Sequence, residues 1–417
     1  MTTMTEAGVW TRDRKKTAVA RARKPRRGRR WWRRLLGALS LGVMLGGIGL
    51  WVAAHRVRWI GQGLADGARE LFGPTAVAWA ENVAYGIQDR IDRWRYGGGR
   101  PRVYWKTPTP GEIEIPVAAS PGAGAAVGFR PPAVELPVPA VAAEGDGDWL
   151  AVSDAAAPDA PPVMFKTLVH PDRRRPHAAL AVAAIDATAA ELHLVAGTHE
   201  PKSYQLAREE RPGVIPAASH AALVAAFNGG FKATHGNYGM MVGGVELLPP
   251  RGIACAFARY RDDALRITTF SRIKGDVGGM LYYRQTPPCL VEDGKVHSLL
   301  HYHEYATGWG ATVSGETVIR RSAIGLDATR KVILYGIGDH LTAQSLARGM
   351  RAAGAVDAAE LDVNHSYPRF LIYGRPLDGA PLEARESLIP GVDFESDEYV
   401  RRASQRDFFY VTRRAST

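Results

Sequence analysis

Val332–Asp362, VILYGIGDHLTAQSLARGMRAAGAVDAAELD, is the stretch on which the reading of the fold turns. Val332–Ile337 is an apolar run of strand length, rich in β-branched and aromatic side chains. Thr342 then offers a hydroxyl to N-cap a helix. Leu346, Met350 and Ala353 follow at helical spacing as its buried stripe, and Gly354 stops it. A second apolar run, Ala355–Leu361, completes a βαβ unit if read as a strand, although it also fits a helix. Ligands collect at the carboxyl ends of strands in such units. Asp339 and Asp362 fall at those two ends.

Working outward, Ala179–Ile185, Leu192–Val195, Leu223–Phe227, Ile253–Ala258, Met280–Tyr283 and Phe370–Tyr373 read as further short strands. The expected class is therefore α+β over residues 163–417: a mixed β-sheet core with packed helices and a C-terminal βαβ unit. Residues 55–96 have a helical apolar period (Trp79, Val83, Ile87, Ile91, Trp94) and read as an amphipathic stalk. Gly97-Gly98-Gly99 ends it. The stretch 97–162 is rich in Pro, Ala and Gly and reads as a low-complexity linker, too poor in large apolar residues to offset its ordering entropy.

The net charge of +11 resembles a nucleic-acid footprint until it is located. Residues 1–34 carry thirteen Lys or Arg against Glu6 and Asp13, which accounts for the whole excess. A neutral body argues against a reader of phosphate backbones, so no nucleic-acid partner is expected. The basic tail runs into Leu35–Ala54, an apolar stretch with Trp31, Trp32, Trp51 and Trp59 at its edges. Twenty helical residues span roughly the 30 Å of a bilayer core. The expectation is a single-pass transmembrane helix at 35–54 in the inner or cytoplasmic membrane. The N-terminus would be cytoplasmic and the C-terminal domain periplasmic or extracellular. A cleaved signal peptide processed at Val52-Ala53-Ala54 is the alternative, and it exports the same domain.

Cys255 and Cys289 either pair or lie as two buried thiols. No CxxC or HExxH occurs, no cofactor is indicated and no metal ligands are assigned. His301 and His303, near His297 and Glu304, would share one face of a strand as a two-ligand metal site; an exposed, metal-free strand is the plainer reading.

Phe227-Asn228-Gly229-Gly230-Phe231 joins an apolar strand to a glycine-rich loop containing His235. Glycine admits close approach of a ligand to backbone, and the Asn amide both donates and accepts. A ligand-free glycine hairpin fits equally. Arg284 is a guanidinium fork suited to phosphate. Arg320 and Arg321 are strand neighbours that must point to opposite faces. Asp362-Val363-Asn364-His365-Ser366 places a carboxylate, an amide and an imidazole at one strand end, suited to acid–base work by Asp362, Asn364 and His365. An Asx turn is the structural alternative.

Taken in order, several of these motifs resemble the phosphodiester glycosidase family, whose domain also occurs in the lysosomal uncovering enzyme and in bacterial exopolysaccharide proteins. The resemblance covers about 165–375. It rests on Ala184-Ile185-Asp186, Ala225–Phe231, Arg284-Gln285 through Gly294-Lys295, Arg321–Asp327 and the run from Leu341-Thr342 to Leu361-Asp362. It implies hydrolysis of sugar–phosphate diester linkages in cell-envelope or exopolysaccharide glycans. Arg284 and Arg321 would then hold phosphate, Asn228, Gly229 and Gly230 would line the sugar site with His235 and Asp339, and Asp362 would supply the carboxylate. The family commonly has Asp-Gly-Gly-Gly-Ser where this chain has Asp362-Val363-Asn364-His365-Ser366. That departure motivates an alternative: a non-catalytic glycan-binding or envelope-assembly protein on the same domain.

Overall fold

The computed structural model describes residues 74–97, 99–106, 129–154, 157–203, 205–302, 305, 308–310, 317–376 and 379–415, together with 32, 35, 37–39, 42 and 46. Three antiparallel sheets form most of it. The first runs β1 (Leu150–Ala151), β2 (Met164–Val169), β3 (Leu180–Asp186), β14 (Val332–Leu341), β13 (Ile319–Leu326), β15 (Asp357–Val363), β11 (Val291–Glu292), β12 (Lys295–Val296). The second runs β7 (Val245–Leu248), β6 (Met240–Val242), β10 (Met280–Thr286), β8 (Cys255–Tyr260), β9 (Leu265–Thr269). The third runs β17 (Glu383–Ser387), β16 (Phe370–Gly374), β5 (Leu223–Asn228), β18 (Phe408–Arg413), β4 (Ala190–Val195). Two α-helices accompany them among the described residues in this part of the chain, α1 (Pro74–Tyr96) and α2 (Ala343–Ala352).

Two features correct the expected fold class. Every pairing between these strands is antiparallel, so the sheets are not mixed: β13 runs antiparallel to both β14 and β15 and separates them. The βαβ unit thus closes around a third strand, with Ala355–Leu361 realised as β15 beginning at Asp357. The second correction concerns the membrane. No helix among the described residues is long and apolar enough to cross one. The single-pass topology, the membrane as partner and the localisation built on that helix are therefore withdrawn. Within 35–54 only 35, 37–39, 42 and 46 are described; the remainder lies outside the described residues, as do the basic tail 1–31 and residues 55–73 of the expected stalk.

Side-chain alternation decides what the first sheet packs against. In β3, Leu180, Val182 and Ala184 face α2, while Ala181, Ala183 and Ile185 enter the core shared with the other two sheets. On α2, Leu346, Ala347 and Met350 are fully buried. Thr342 caps the helix: its Oγ1 accepts from Ser345 N at 3.0 Å, and Ser345 Oγ accepts from Thr342 N at 2.9 Å. Gly336 lets the helix lie close, because a Cβ there would strike the Met350 sulfur. Cys255 and Cys289 form a disulfide with Cα atoms 4.8 Å apart, joining β8 to the chain leaving β10.

Part of the Pro-rich stretch also packs on the domain. β1 pairs with β2, Val141 and Val152 are buried, and Glu135 N donates to Ala352 O at 2.8 Å. α1 docks through its polar side: Arg175 pairs with Asp89 at 2.7 Å and with Asp172 at 2.8 Å. Its periodic apolar residues Val83, Ile87, Ile91 and Trp94 are exposed.

Leu346→Ala is expected to cost about 2–5 kcal/mol, because it opens a cavity under α2. Urea unfolding measures this, and a loss below about 1 kcal/mol would show that the helix does not hold this face of the sheet.

Candidate active site

Asn228 ends β5 in complete burial with all four amide positions satisfied. Its Nδ2 donates to Ser322 Oγ (2.9 Å) and Gly229 O (3.1 Å). Its Oδ1 accepts from Tyr335 Oη (2.7 Å) and Arg369 N (3.2 Å). The amide stitches β5 to β13 and β14 and leaves nothing for a sugar hydroxyl.

Arg284 is likewise spent inside the protein. Nε and Nη2 donate to the Asp407 carboxylate at 2.8 and 3.3 Å. The remaining N–H groups go to the carbonyls of Phe231, Tyr238 and Gln285. This is a structural ion pair, and it explains both glycines of the Asn-Gly-Gly element. A Cβ on Gly229 would strike the Asp407 carboxylate, and one on Gly230 would sit 2.7 Å from Arg284 Cζ. Gly230 N donates to Asp407 Oδ2 at 2.9 Å, a further tie that requires this close approach.

The reactive groups gather at the ends of β13 and β15. Glu360 and Asp362 lie two apart near the end of β15, where a register shift against β13 interrupts the strand's alternation. Arg321 Nη1 donates to Glu360 Oε1 at 2.6 Å, and its other contacts are the carbonyls of Leu341, Trp309 and Thr317. Glu360 Oε2 is buried with no hydrogen-bond partner among the described residues. Burial pushes the Glu360 carboxyl up to about 7, with the Arg321 guanidinium pulling the other way and the Asp362 carboxylate adding to the rise. Asp362 Oδ2 is 2.5 Å from Arg406 Nη1 and accepts from Asn364 Nδ2 at 2.8 Å.

Arg406 keeps slight exposure, where Arg284 and Arg321 are fully buried. It lies 4.0 Å over the Tyr367 ring and donates to Gly230 O at 3.2 Å, while its Nε has no acceptor among the described residues. Burial works against its charge, but the Asp362 carboxylate, Tyr367 and Asp407 raise its pKa above the usual arginine value. Tyr238 lies at the edge of the same region. Burial raises its hydroxyl pKa, Arg251 opposing and Glu360 adding to the shift.

Of the residues singled out from the sequence, Asn228, Gly229, Gly230, Arg284, Arg321 and Asp362 meet around this point. Asn364 does two things: its amide holds Asp362, and its Oδ1 accepts from Ser366 N and Tyr367 N in an Asx turn. His365 turns away, its carbonyl accepting from Arg320 at 2.9 Å and its ring 5.6 Å from that of Tyr85 on α1. Asp339 belongs to that other face. Arg320 grips it at 2.7 Å, and although burial pushes its carboxyl up, Arg320, His340 and His365 bring it below the usual carboxylate range. His235 is exposed in a short 3-10 turn. His301 also lies in a 3-10 turn rather than a strand, His303 and Glu304 lie outside the described residues, and no metal-binding group of three acids, histidines or cysteines occurs among the described residues.

Glu360, Arg406 and Asp407 are the additions that the sequence reading lacked. Only its place two residues before Asp362 marks Glu360. Nothing local marks Arg406 and Asp407: Asp407 pairs with Arg284, 123 residues away, and Arg406 reaches Gly230, 176 residues away.

Asp407→Ala strips the Arg284 charge of its counter-ion. The expected loss is about 3–5 kcal/mol in unfolding free energy. A loss below about 1 kcal/mol in denaturant titration would contradict the structural role assigned to the pair.

Part of this region falls in a stretch similar to a known family, while Tyr367, Arg406 and Asp407 lie beyond that stretch. Residues 221–362 match the family model described as phosphodiester glycosidase, a segment that ends on Asp362. No curated protein matches the chain. Among solved structures it is similar to the zebrafish N-acetylglucosamine-1-phosphodiester alpha-N-acetylglucosaminidase catalytic domain, auto-inhibited by its pro-peptide. That alignment has 12% identity, covers 64% of this chain and 88% of that one, and has a TM-score of 0.41. A hypothetical protein from Synechocystis aligns at 13% identity over 61% of this chain and 64% of its own, with a TM-score of 0.32. A putative exported protein from Burkholderia pseudomallei K96243 aligns at 11% identity over 62% and 76%, with a TM-score of 0.26.

Proposed function

We propose that this chain, which carries a phosphodiester-glycosidase-related domain, is a hydrolase that releases a sugar from a sugar–phosphate diester. The observation that carries the reading is the pair of carboxyl groups, Glu360 and Asp362, at one end of β15, the first held by the Arg321 guanidinium and the second by that of Arg406.

Chemistry assigns the roles. A departing phosphomonoester is already a stable anion and needs little proton donation. The demand falls on the positive charge that develops at the anomeric carbon, on the phosphate and on the attacking water. Asp362 supplies negative charge for the first. Arg406 holds the phosphate: its stacking on Tyr367 fixes the guanidinium plane, and its buried Nε has no acceptor among the described residues. Glu360, near 7, is about half ionised at neutral pH and can take the proton from water. Its unpartnered Oε2 is the atom for that transfer.

The test is release of free sugar from sugar 1-phosphate diesters with varied sugars. Glu360→Gln and Asp362→Asn should each lower kcat at least about 100-fold with modest change in KM. Arg406→Lys should instead raise KM. Wild-type kinetics in Asp362→Asn would remove that residue from the mechanism. Because the working form of Glu360 is deprotonated, kcat should rise as pH rises through about 7, and this limb should vanish in Glu360→Gln. A rate that falls over that range contradicts the assignment.

A second reading, a glycan-binding protein without turnover, is favoured by the near-complete burial of Glu360 and Asp362 and by the bulk of Val363, Asn364 and His365. Sugar-phosphate binding with no hydrolysis of any tested diester would select it.

A further inference from the structure

A separate cleft of about 310 Å³ runs beside α2, lined by Gly294, Lys295, Val296, His301, Gln344, Arg348 and Arg351. Gln344, Arg348 and Arg351 are spaced four and three residues apart and form one stripe of the helix. Lys295 comes from β12 and His301 from the 3-10 turn that follows it, so three elements converge. No Asp or Glu lines the cleft. The nearest acids on the β11–β12 hairpin are engaged elsewhere: Asp293 pairs with Arg272 at 2.8 Å, and Glu292 accepts from Thr268 Oγ1 at 2.6 Å and Thr269 N at 2.7 Å.

We propose that this cleft is a binding site for an oxyanion-bearing ligand of the size of a sugar phosphate, distinct from the Glu360–Asp362 site. The sugar component rests on the hydrolase reading above; the oxyanion component does not. Arg351 and Lys295 are exposed and line the cleft together with Arg348, so three cations border it with no acid among the lining residues. Cations near the end of α2 also complement the helix dipole, but that effect does not account for Lys295 and His301 on other elements. Arg348 is braced, its Nη1 donating to Pro171 O at 2.9 Å. Gln344 Nε2 lies 3.2 Å from His301 Nδ1; with the amide as donor, the imidazole proton sits on Nε2, free to donate to an oxygen. The volume is at the small end of ligand sites, which suits one phosphorylated sugar rather than a polymer segment.

Calorimetric titration of the full chain with inorganic phosphate, glucose 1-phosphate and glucose tests the assignment. Both phosphates should bind, glucose should not, and affinity should fall with added salt. The double variant Lys295→Glu, Arg351→Glu should weaken phosphate binding at least about 10-fold, because both changes place like charge against the ligand. Both positions are exposed, and a thermal melt checks that the fold is kept. Asp362→Asn should leave this binding in place, which separates the cleft from the catalytic reading: absence of turnover in the wild type would sink that reading alone. Full-strength phosphate binding by the charge-reversed protein, its loss in Asp362→Asn, or no phosphate binding by the wild type would overturn the proposal.

Discussion

A guanidinium taken wholly out of water must find an acceptor for each of its N–H groups, and Arg284 finds them in the Asp407 carboxylate and three backbone carbonyls. Such a pair gains less from attraction than it loses by desolvation unless its remaining positions are satisfied. Here Asp407 also accepts from Gly230 N, its backbone carbonyl accepts from Gly229 N at 2.9 Å, and the Tyr367 hydroxyl donates to that same carbonyl. One carboxylate therefore ties β10 of the second sheet to β18 of the third. It also fixes the Asn-Gly-Gly turn that Asn228 pins to the first. The glycines follow from this packing, since any side chain at 229 or 230 would occupy the space of the pair.

The same tie sets the site. Arg406 precedes Asp407, so anchoring Asp407 delivers the Arg406 guanidinium to Asp362. Two opposite electrostatic outcomes then lie side by side. At Glu360 burial outweighs the attraction of Arg321, and the carboxyl is pushed up toward neutrality. At Arg406 the surrounding negative groups outweigh burial, and the guanidinium stays charged. A group that exchanges a proton near pH 7 beside a persistent cation is a combination suited to activating water while holding an anion.

Much of the local structure was legible because it rests on short-range patterns. The Thr342 cap, the Leu346–Met350 stripe and the strands over Leu180–Asp186, Val332–Leu341 and Phe370–Gly374 follow from side-chain period and capping chemistry. What failed depended on partners distant in sequence. Antiparallel insertion of β13 between β14 and β15 cannot be read from a strand–helix–strand pattern. Nor can the docking of α1 by Asp89 onto Arg175, which reverses the face that its apolar period suggests. The apolar content of 35–54 argued for a membrane span, and no helix among the described residues is long and apolar enough to be one. At the site, Asn228, Arg284 and Arg321 were picked for their chemical versatility. Their burial turns that versatility inward, onto the protein's own backbone and acids.

The most direct test of this account is the titration of the Glu360 side-chain carboxyl by carbon-13 NMR, assigned by comparing the wild type with Glu360→Gln. Burial beside a single guanidinium raises the group, and the account predicts a midpoint at about 7. A midpoint in the ordinary glutamate range, about 4.3, would mean that water or further cations reach the group, and it would contradict the site as described.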